Sequence, residues 1–187
     1  LYIRIDNIQP MNAHEERLAI EKAQCGDRVA LGLLWDALSP KLFGYLVNIL
    51  NNKETAEDIF QTVWIHAVAG LPNFNYRGRP FSAWLFAIAH NECRQYWRKQ
   101  QREVPLEPAI HDISDRTGNI EDSILAQQII VKLSEDDQDL LRLRYIADLP
   151  LQNIAQLMKL NFVTVRVRVH RALARARMQA VAIRSHV

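Results

Sequence analysis

The sequence has few of the features that membrane-spanning, secreted or disulfide-rich proteins need. Its two cysteines, Cys25 and Cys93, lie far apart and form no C-x-x-C motif, so we expect free thiols and neither a disulfide framework nor a zinc knuckle. No stretch approaches the roughly 18 unbroken apolar residues that span a bilayer, and the N-terminus lacks a signal-peptide pattern. We therefore expect a cytoplasmic protein with no direct membrane insertion.

Motifs of catalysis and of metal binding are also missing. The six histidines form no H-E-x-x-H or comparable ligand spacing, and there is no glycine-rich phosphate loop. Neither cysteine lies in the sequence signature of a nucleophile. The sequence thus predicts a protein that is not an enzyme and that needs no metal or cofactor.

Acidic residues are absent from one long zone and nearly absent from another. Residues 149–187 contain seven Lys or Arg and no Asp or Glu, whereas residues 59–102 contain six Lys or Arg and only Glu92 as an acid. The net charge of +2 therefore hides two basic zones. A merely solvated surface normally mixes charges of both signs, so this pattern favours contact with a polyanion.

An acidic stretch separates the two basic zones. Residues 103–122 carry six Asp or Glu, one Arg, two Pro and one Gly. This composition is typical of a linker, and it predicts two small domains, residues 11–102 and 123–187. A single domain with a long surface loop is the alternative. Residues 1–10, before Met11, are expected to be a tail or a vector-derived remnant.

The apolar pattern predicts an all-α fold. Apolar positions three or four residues apart indicate helices over 17–24, 28–36, 40–50, 53–68 and 81–101, with a turn at Ser39-Pro40. A helix is also expected over 121–133, and Ser134 resembles the first residue of a capping box that opens a helix ending near Ala147.

The stretch VTVRVRVHRALARAR, residues 163–177, fits both a strand and a helix. Its first eight residues alternate as in a half-buried strand. At 100° per residue, however, a core-facing stripe about 100° wide emerges. This stripe comprises Phe162, Val165, Val169, Ala172, Leu173 and Ala176. No second strand pattern lies nearby and residues 172–180 are strong helix formers, so we predict a helix that begins at the N-cap Asn161.

This helix follows a short amphipathic helix, residues 151–158, and the tight turn 159–161, which together predict a helix-turn-helix. Arginine can bond guanine or phosphate, and valine methyls can contact thymine, so the outward residues suit a major groove. These residues are Val163, Thr164, Arg166, Val167, Arg168, His170 and Arg171. A solvated basic helix without a groove is the alternative.

The first basic zone combines rings, amides and cations, which suits unstacked bases and their phosphates. The loop NFNYRGRP, residues 73–80, precedes a helix whose first half carries a core stripe of Phe81, Trp84, Leu85 and Ile88. The polar part of this helix contains Asn91, Arg94, Gln95, Tyr96, Trp97, Arg98 and Lys99. In the alternative interpretation, Tyr96 and Trp97 only pack the end of the helix.

Taken together, these segments resemble the extracytoplasmic-function (ECF) group of bacterial sigma factors from about residue 19 to 178. AQCGDRVALGLLWDALSPKLFGYL resembles the opening helices of that group, and TAEDIFQTVWIHAV resembles the segment that binds the clamp helices of the polymerase β′ subunit. PFSAWLFAIAHNECRQYWRKQ resembles the helix that melts the promoter and reads the minus-ten element. LPLQNIAQLMKLNFVTVRVRVHRALARAR resembles the helix-turn-helix that reads the minus-thirty-five element.

The resemblance implies a sigma region 2-like bundle in residues 11–102, a region 4-like domain in 123–187, and a flexible linker. It implies polymerase contacts from Glu57, Asp58 and Gln61 and upstream duplex contacts from Thr164, Arg166, Val167, Arg168, His170 and Arg171. Its implied minus-ten and single-strand contacts are Asn73, Phe74, Tyr76, Arg77, Arg79, Asn91, Arg94, Gln95 and Arg98, with Asn91 and the loop capturing a flipped base.

The implied partners are core RNA polymerase, through its β′ clamp helices and β subunit, promoter DNA, and an anti-sigma factor that could hold the protein at the membrane. Two features depart from the pattern of the group. Lys159 stands where glycine is usual in the turn, and Val163 and Val167 replace small residues in the reading helix. The alternative functions are a stand-alone helix-turn-helix regulator with an N-terminal sensing or dimerising domain, and a helical adapter that binds only protein.

Overall fold

The computed structural model describes residues 11–76, 80–103 and 133–184, and every regular element within these ranges is helical. The prediction of an all-α fold is thereby confirmed. The chain divides into two compact units, residues 1–107 and 108–187. The acidic residues 104–122 and all but the last residue of the helix predicted over 121–133 lie outside the described residues, and the exact domain boundaries stay a prediction.

The described part of the first unit contains four α-helices. They are α1 (Ala13–Gln24), α2 (Arg28–Leu50), α3 (Lys53–Gly70) and α4 (Phe81–Glu103), with a short 3-10 turn, Leu71–Asn73, after α3. Local caps set three of the helix starts, because Asn12, Asp27 and Asn52 each accept backbone amide hydrogen bonds of the first turn. Side chains from α2, α3 and α4, such as Leu46, Val63 and Phe86, fill the core.

The turn predicted at Ser39-Pro40 is wrong, since α2 runs through it without a break. Proline inside a helix removes one backbone hydrogen bond and costs about 3 kcal/mol. Here the helix buries Leu34 before the proline and Leu42 after it, both almost completely. Burial of these side chains on one continuous helix outweighs the local cost of Pro40.

The second unit contains α5 (Glu135–Tyr145), α6 (Leu151–Leu157) and α7 (Phe162–Arg184). Ser134 caps α5 as predicted, by accepting a hydrogen bond from the Asp137 amide. The apolar core of this unit comprises Leu140, Leu143, Leu149, Ile154, Val165, Val169 and Ala172. The ambiguous stretch 163–177 is therefore helical, and the alternation of its first residues places Val163 and Val167 on the exposed side.

Candidate nucleic-acid interface

The turn between α6 and α7 places Lys159 in a left-handed backbone conformation. Lys159 has a φ of 56°, in the left-handed region that favours glycine, so the lysine accepts a strain of about 1 kcal/mol. The Leu160 amide donates to the Ala155 carbonyl at 2.9 Å, which closes the turn. Asn161 then caps α7, since its Oδ1 accepts from the Val163 amide at 2.8 Å.

The predicted outer face of α7 is exposed at nearly every position. Thr164, Arg166, Val167, His170 and Arg171 are exposed on α7. The helix contacts the core through other residues, Val165, Val169 and Ala172. Phe162, predicted to face the core, is 40% exposed and is the first residue of α7.

Arg168 departs from the predicted DNA-facing set. Its Nη2 atom lies 3.1 Å from Asp136 Oδ2 and 3.2 Å from Asp137 Oδ1, both at the start of α5. Arg175, seven residues further along α7, pairs with the other oxygen of Asp137. The Asp137 side chain is only 6% exposed. Arg168 therefore ties α7 to α5 through its Nη2 atom, and its contact with DNA stays a prediction.

The second half of α4 presents a polar face. Asn91, Arg94, Gln95 and Arg98 are all exposed, and spacings of three, four and seven residues place them on one side of the helix. Glu92 lies on another side and contacts His66 of α3 at 3.1 Å. Tyr96 and Trp97 are half-buried, so both the ring-stacking and the packing interpretations stay open.

The assignment of Phe74 as a base-stacking ring is corrected by its position. Phe74 is buried, with its ring centroid 5.5 Å from Phe81 and 5.0 Å from Trp84. A base needs an accessible ring face to stack on, whereas this ring fills the junction between the loop and the first turn of α4. Asn73 is exposed and Tyr76 is half-buried, while Arg77 and Arg79 lie outside the described residues.

Asn91 and the described part of the loop are not neighbours. The loop packs on Phe81 and Trp84, and Asn91 follows Phe81 by ten residues, or about 15 Å along the helix axis at 1.5 Å per residue. This separation corresponds to about four nucleotides at 3.4 Å each. The described contacts of Phe74 on α4 thus lie two to three turns before Asn91, and the capture of one base by Asn91 and the loop stays a prediction.

The predicted polymerase face lies on α3. Glu57, Asp58 and Gln61 are exposed and fall on one side of this 18-residue helix. Ile59, Val63 and Trp64 are buried on the opposite side. A rigid helix therefore presents two carboxylates and an amide to solvent, which fits a basic partner.

Three residues that position α7 and the loop before α4 could not be identified from the sequence pattern. Asp137 anchors Arg168 and Arg175, and Glu16 and Gln24 of α1 contact the loop before α4. Their partners are 31 to 66 residues away in the chain. Periodicity and capping patterns report on neighbours within a few residues, so they could not have identified these contacts.

Within residues 11–76, 80–103 and 133–184, no group of three or more His, Cys, Asp or Glu side chains is arranged to hold a metal ion. A search of the same residues finds no helix whose length and apolar character would let it cross a membrane.

Comparison with known protein families assigns both units. Residues 34–103 match Sigma-70 region 2, and residues 123–175 match Sigma-70 region 4. The RNA polymerase sigma-H factor of Pseudomonas aeruginosa is 30% identical over 179 residues, covering 87% of this chain and 92% of its own. The ECF RNA polymerase sigma factor BldN of Streptomyces coelicolor is 28% identical, and the match covers 83% of this chain but 63% of BldN.

Solved structures share the fold. CnrH in complex with the cytosolic domain of CnrY superposes with a TM-score of 0.70 at 22% identity, covering 90% of this chain and 98% of CnrH. The sigma factor RpoE in complex with the anti-sigma factor NepR, from Bartonella quintana, gives 0.65 at 24% identity, with 80% and 95% coverage. The chain matches region 2 and then region 4, and it is similar to sigma factors over most of its length. This protein therefore belongs to the ECF group of RNA polymerase sigma factors.

Proposed function

We propose that this protein binds core RNA polymerase and directs it to promoters, where it supports recognition and opening of the DNA. The observation that carries the proposal is the pairing of a region 2 match with a region 4 match in one chain, in that order. The exposed side chains of α3, α4 and α7 have the chemistry that polymerase binding, strand opening and duplex recognition need. Catalysis of its own is not part of the proposed function, and the expected location is the cytoplasm.

The outer face of α7 is proposed to read upstream duplex DNA. Arg166 and Arg171 are exposed, and among the described residues neither is held by a carboxylate. Their guanidinium groups are therefore available to bond base edges or phosphates in a major groove. Val167 and Val163 offer methyl groups beside them, which favours contact with thymine.

The polar half of α4 and the loop before it are proposed to bind the opened strand. Asn91 and Gln95 can hydrogen-bond base edges, whereas Arg94 and Arg98 can neutralise phosphates on the same side. Because Asn91 lies about 15 Å along the helix axis from the loop junction, the two are proposed to contact different nucleotides of one strand.

Polymerase binding is assigned to the exposed acidic face of α3. Glu57, Asp58 and Gln61 are proposed to meet the β′ clamp helices, with further contacts to the β subunit from other surfaces. The complex of the related RpoE with the anti-sigma factor NepR supports control by an anti-sigma factor. Such a partner is proposed to cover polymerase-binding surfaces and could hold the protein at a membrane.

The test is reconstitution with core RNA polymerase and a promoter library. The complete protein should bind promoter DNA specifically only with core enzyme present, and the holoenzyme should open a subset of the library. Asp58→Arg should lower core affinity at least about a hundredfold, because a cation would face a basic partner at a buried contact.

Asp36→Arg is the matched control for that charge reversal. Asp36 is exposed on α2 and lies outside the proposed α3 face, so this variant should assemble normally. Normal assembly of Asp58→Arg would remove the α3 face from the proposal. Specific binding to duplex promoters without polymerase would instead indicate a stand-alone regulator, and the absence of salt-dependent DNA binding would indicate a protein adapter.

A further inference from the structure

One face of α1 holds the loop between α3 and α4 at both of its ends. Glu16, Ile20 and Gln24 follow one another at four-residue spacing, so they lie on the same side of α1. Ile20 in the middle is 2% exposed and belongs to the core. The two polar residues flank it, about 12 Å apart along the helix, and contact opposite ends of the loop.

Gln24 holds the beginning of the loop. Its Nε2 group donates to the Leu71 carbonyl at 2.9 Å and to the Phe74 carbonyl at 2.7 Å. A side-chain amide has two N–H donors, and both are used here. Because Leu71 is the first residue of the 3-10 turn and Phe74 is the residue after it, Gln24 holds the backbone on both sides of this turn.

Glu16 holds the end of the loop and the start of α4. Its carboxylate accepts a hydrogen bond from the Ser82 amide, with 3.4 Å between the heavy atoms, and it also bonds the Phe81 amide and the Tyr76 hydroxyl. The first amides of any helix lack partners within the helix. Pro80, directly before α4, has no side-chain acceptor that could cap it. Glu16 therefore supplies the cap from a different helix.

Packing holds Phe74 against Phe81 and Trp84 but leaves Asn75 and Tyr76 beside open space. A cavity of about 500 Å³ lies between α1 and the loop, lined on the loop side by Phe74, Asn75 and Tyr76. Burial raises the pKa of Glu16, and hydrogen bonds from the two α4 amides and the Tyr76 hydroxyl act in the opposite direction. The polar contacts of Glu16 and Gln24 thus add to the packing of Phe74 in positioning residues 74–76.

We propose that Glu16 and Gln24 are positioning residues for minus-ten selectivity. By holding residues 73–76 relative to the first turn of α4, they set which base residues 73–76 accept. This inference rests on the proposed function, in which the loop contacts the opened strand. Neither residue needs to contact DNA for this role.

The experiment measures base preference with reconstituted holoenzyme. Promoters carrying each of the four bases at each minus-ten position are scored for open-complex formation. Glu16→Ala and Gln24→Ala should each reduce discrimination at one of these positions about five- to tenfold, in line with the loss of one or two hydrogen bonds. Discrimination at the upstream element and affinity for core enzyme should stay at wild-type values.

Glu21→Ala is the matched control. Glu21 lies on the same helix and also lines the cavity, but its carboxylate pairs with Arg17 at 2.9 Å and not with the loop. Two conservative variants test the hydrogen-bond chemistry directly. Glu16→Gln keeps an oxygen acceptor and should retain most of the discrimination, whereas Gln24→Glu replaces the donor with an acceptor and should lose as much as Gln24→Ala.

A merely structural role would lower thermal stability and overall activity but leave the ratio between bases unchanged. That result, with Glu16→Ala and Gln24→Ala matching Glu21→Ala, would overturn the inference while leaving the proposed function intact. A wild-type protein that fails to assemble with core enzyme would contradict the proposed function itself. Should Glu16→Ala fail to fold, the comparison of Gln24→Ala with Glu21→Ala decides between the same two outcomes.

Discussion

Helices α4 and α7 both carry proposed DNA contacts and both contain 23 residues, yet they distribute charge differently. In α4 the apolar core residues come first, with Phe81, Leu85 and Phe86 almost completely buried, and the cations follow. In α7 the arginines are interleaved with the buried residues Val165 and Val169 along the helix.

The difference decides how the cations can be used. The arginines of α4, Arg94 and Arg98, lie past most of the apolar contacts and are exposed together. Those of α7 lie beside the core, where α5 can reach some of them, so Asp137 binds Arg168 and Arg175 while Arg166 and Arg171 stay exposed. A basic helix therefore cannot be treated as one uniform DNA-binding surface.

Loss of the Asp137 contacts should produce the largest effect on stability. Asp137→Ala leaves two arginines without a shared partner and should destabilise the second unit by about 3 kcal/mol, at the low end for a buried ion pair because Arg175 is 57% exposed. All four tryptophans lie in the first unit, residues 1–107. The circular-dichroism unfolding transition should therefore move while the tryptophan fluorescence transition does not.

Asp136→Ala is the control for that variant. Asp136 also contacts Arg168, but its side chain is 70% exposed, so its loss should cost less than about 1 kcal/mol. Equal effects of the two substitutions would show that the buried Asp137 stabilises α7 no more than the exposed Asp136 does. The contrast between α4 and α7 would then fail.

Removal of the exposed α7 arginines should change recognition and not stability. Arg166→Ala and Arg171→Ala should each reduce discrimination between cognate and scrambled upstream elements by about 1 to 3 kcal/mol if they bond base edges. A phosphate contact would weaken all sequences alike and lower the salt slope by about one. If neither variant alters holoenzyme binding, α7 is not the reading helix.

Asn91→Ala should affect only strand opening, since α4 is proposed to contact the separated strand. We expect core binding and closed-complex formation at wild-type values and about tenfold less open complex on duplex templates, through loss of the side-chain contact to a base. Permanganate reactivity of unpaired thymines measures opening, and a pre-melted bubble should restore transcription. Equal impairment on duplex and bubble templates would contradict a melting role.

The smallest expected effect is on the pH dependence of stability, and it concerns the caps at the starts of α4 and α7. The remote cap of α4 can titrate, whereas Asn161, the cap of α7, cannot. Burial raises the folded-state pKa of Glu16 above its usual 4.5, so the folded protein binds more protons than the unfolded chain between these two values.

The stabilisation of wild type relative to Glu16→Gln should therefore be greatest below pH 4.5 and fall as pH rises through the folded pKa. Tryptophan fluorescence unfolding of both proteins between pH 4 and 7 measures this difference. A difference that grows with pH would have the wrong sign for a Glu16 pKa raised by burial.

Some features were predictable because they depend on residues close together in the chain. Helical spacing and the strong helix formers after Ala172 resolved the ambiguous stretch 163–177, and Asn161 and Ser134 marked helix starts through side-chain caps. The same local rules failed at Pro40. They predicted a break there, and burial on both sides of the proline overrode it.

The sequence alone determined the helical class, the order of the segments that resemble sigma regions 2 and 4, and the two basic zones, since periodicity, motif order and charge can be read along one dimension. Only the tertiary structure decided which side chains are available. It buried Phe74 under Trp84, paired Arg168 with Asp137 and brought Glu16 to the start of α4. These outcomes depend on contacts between residues 10 to 66 positions apart, and burial and ion pairing at such distances arise only when the helices pack.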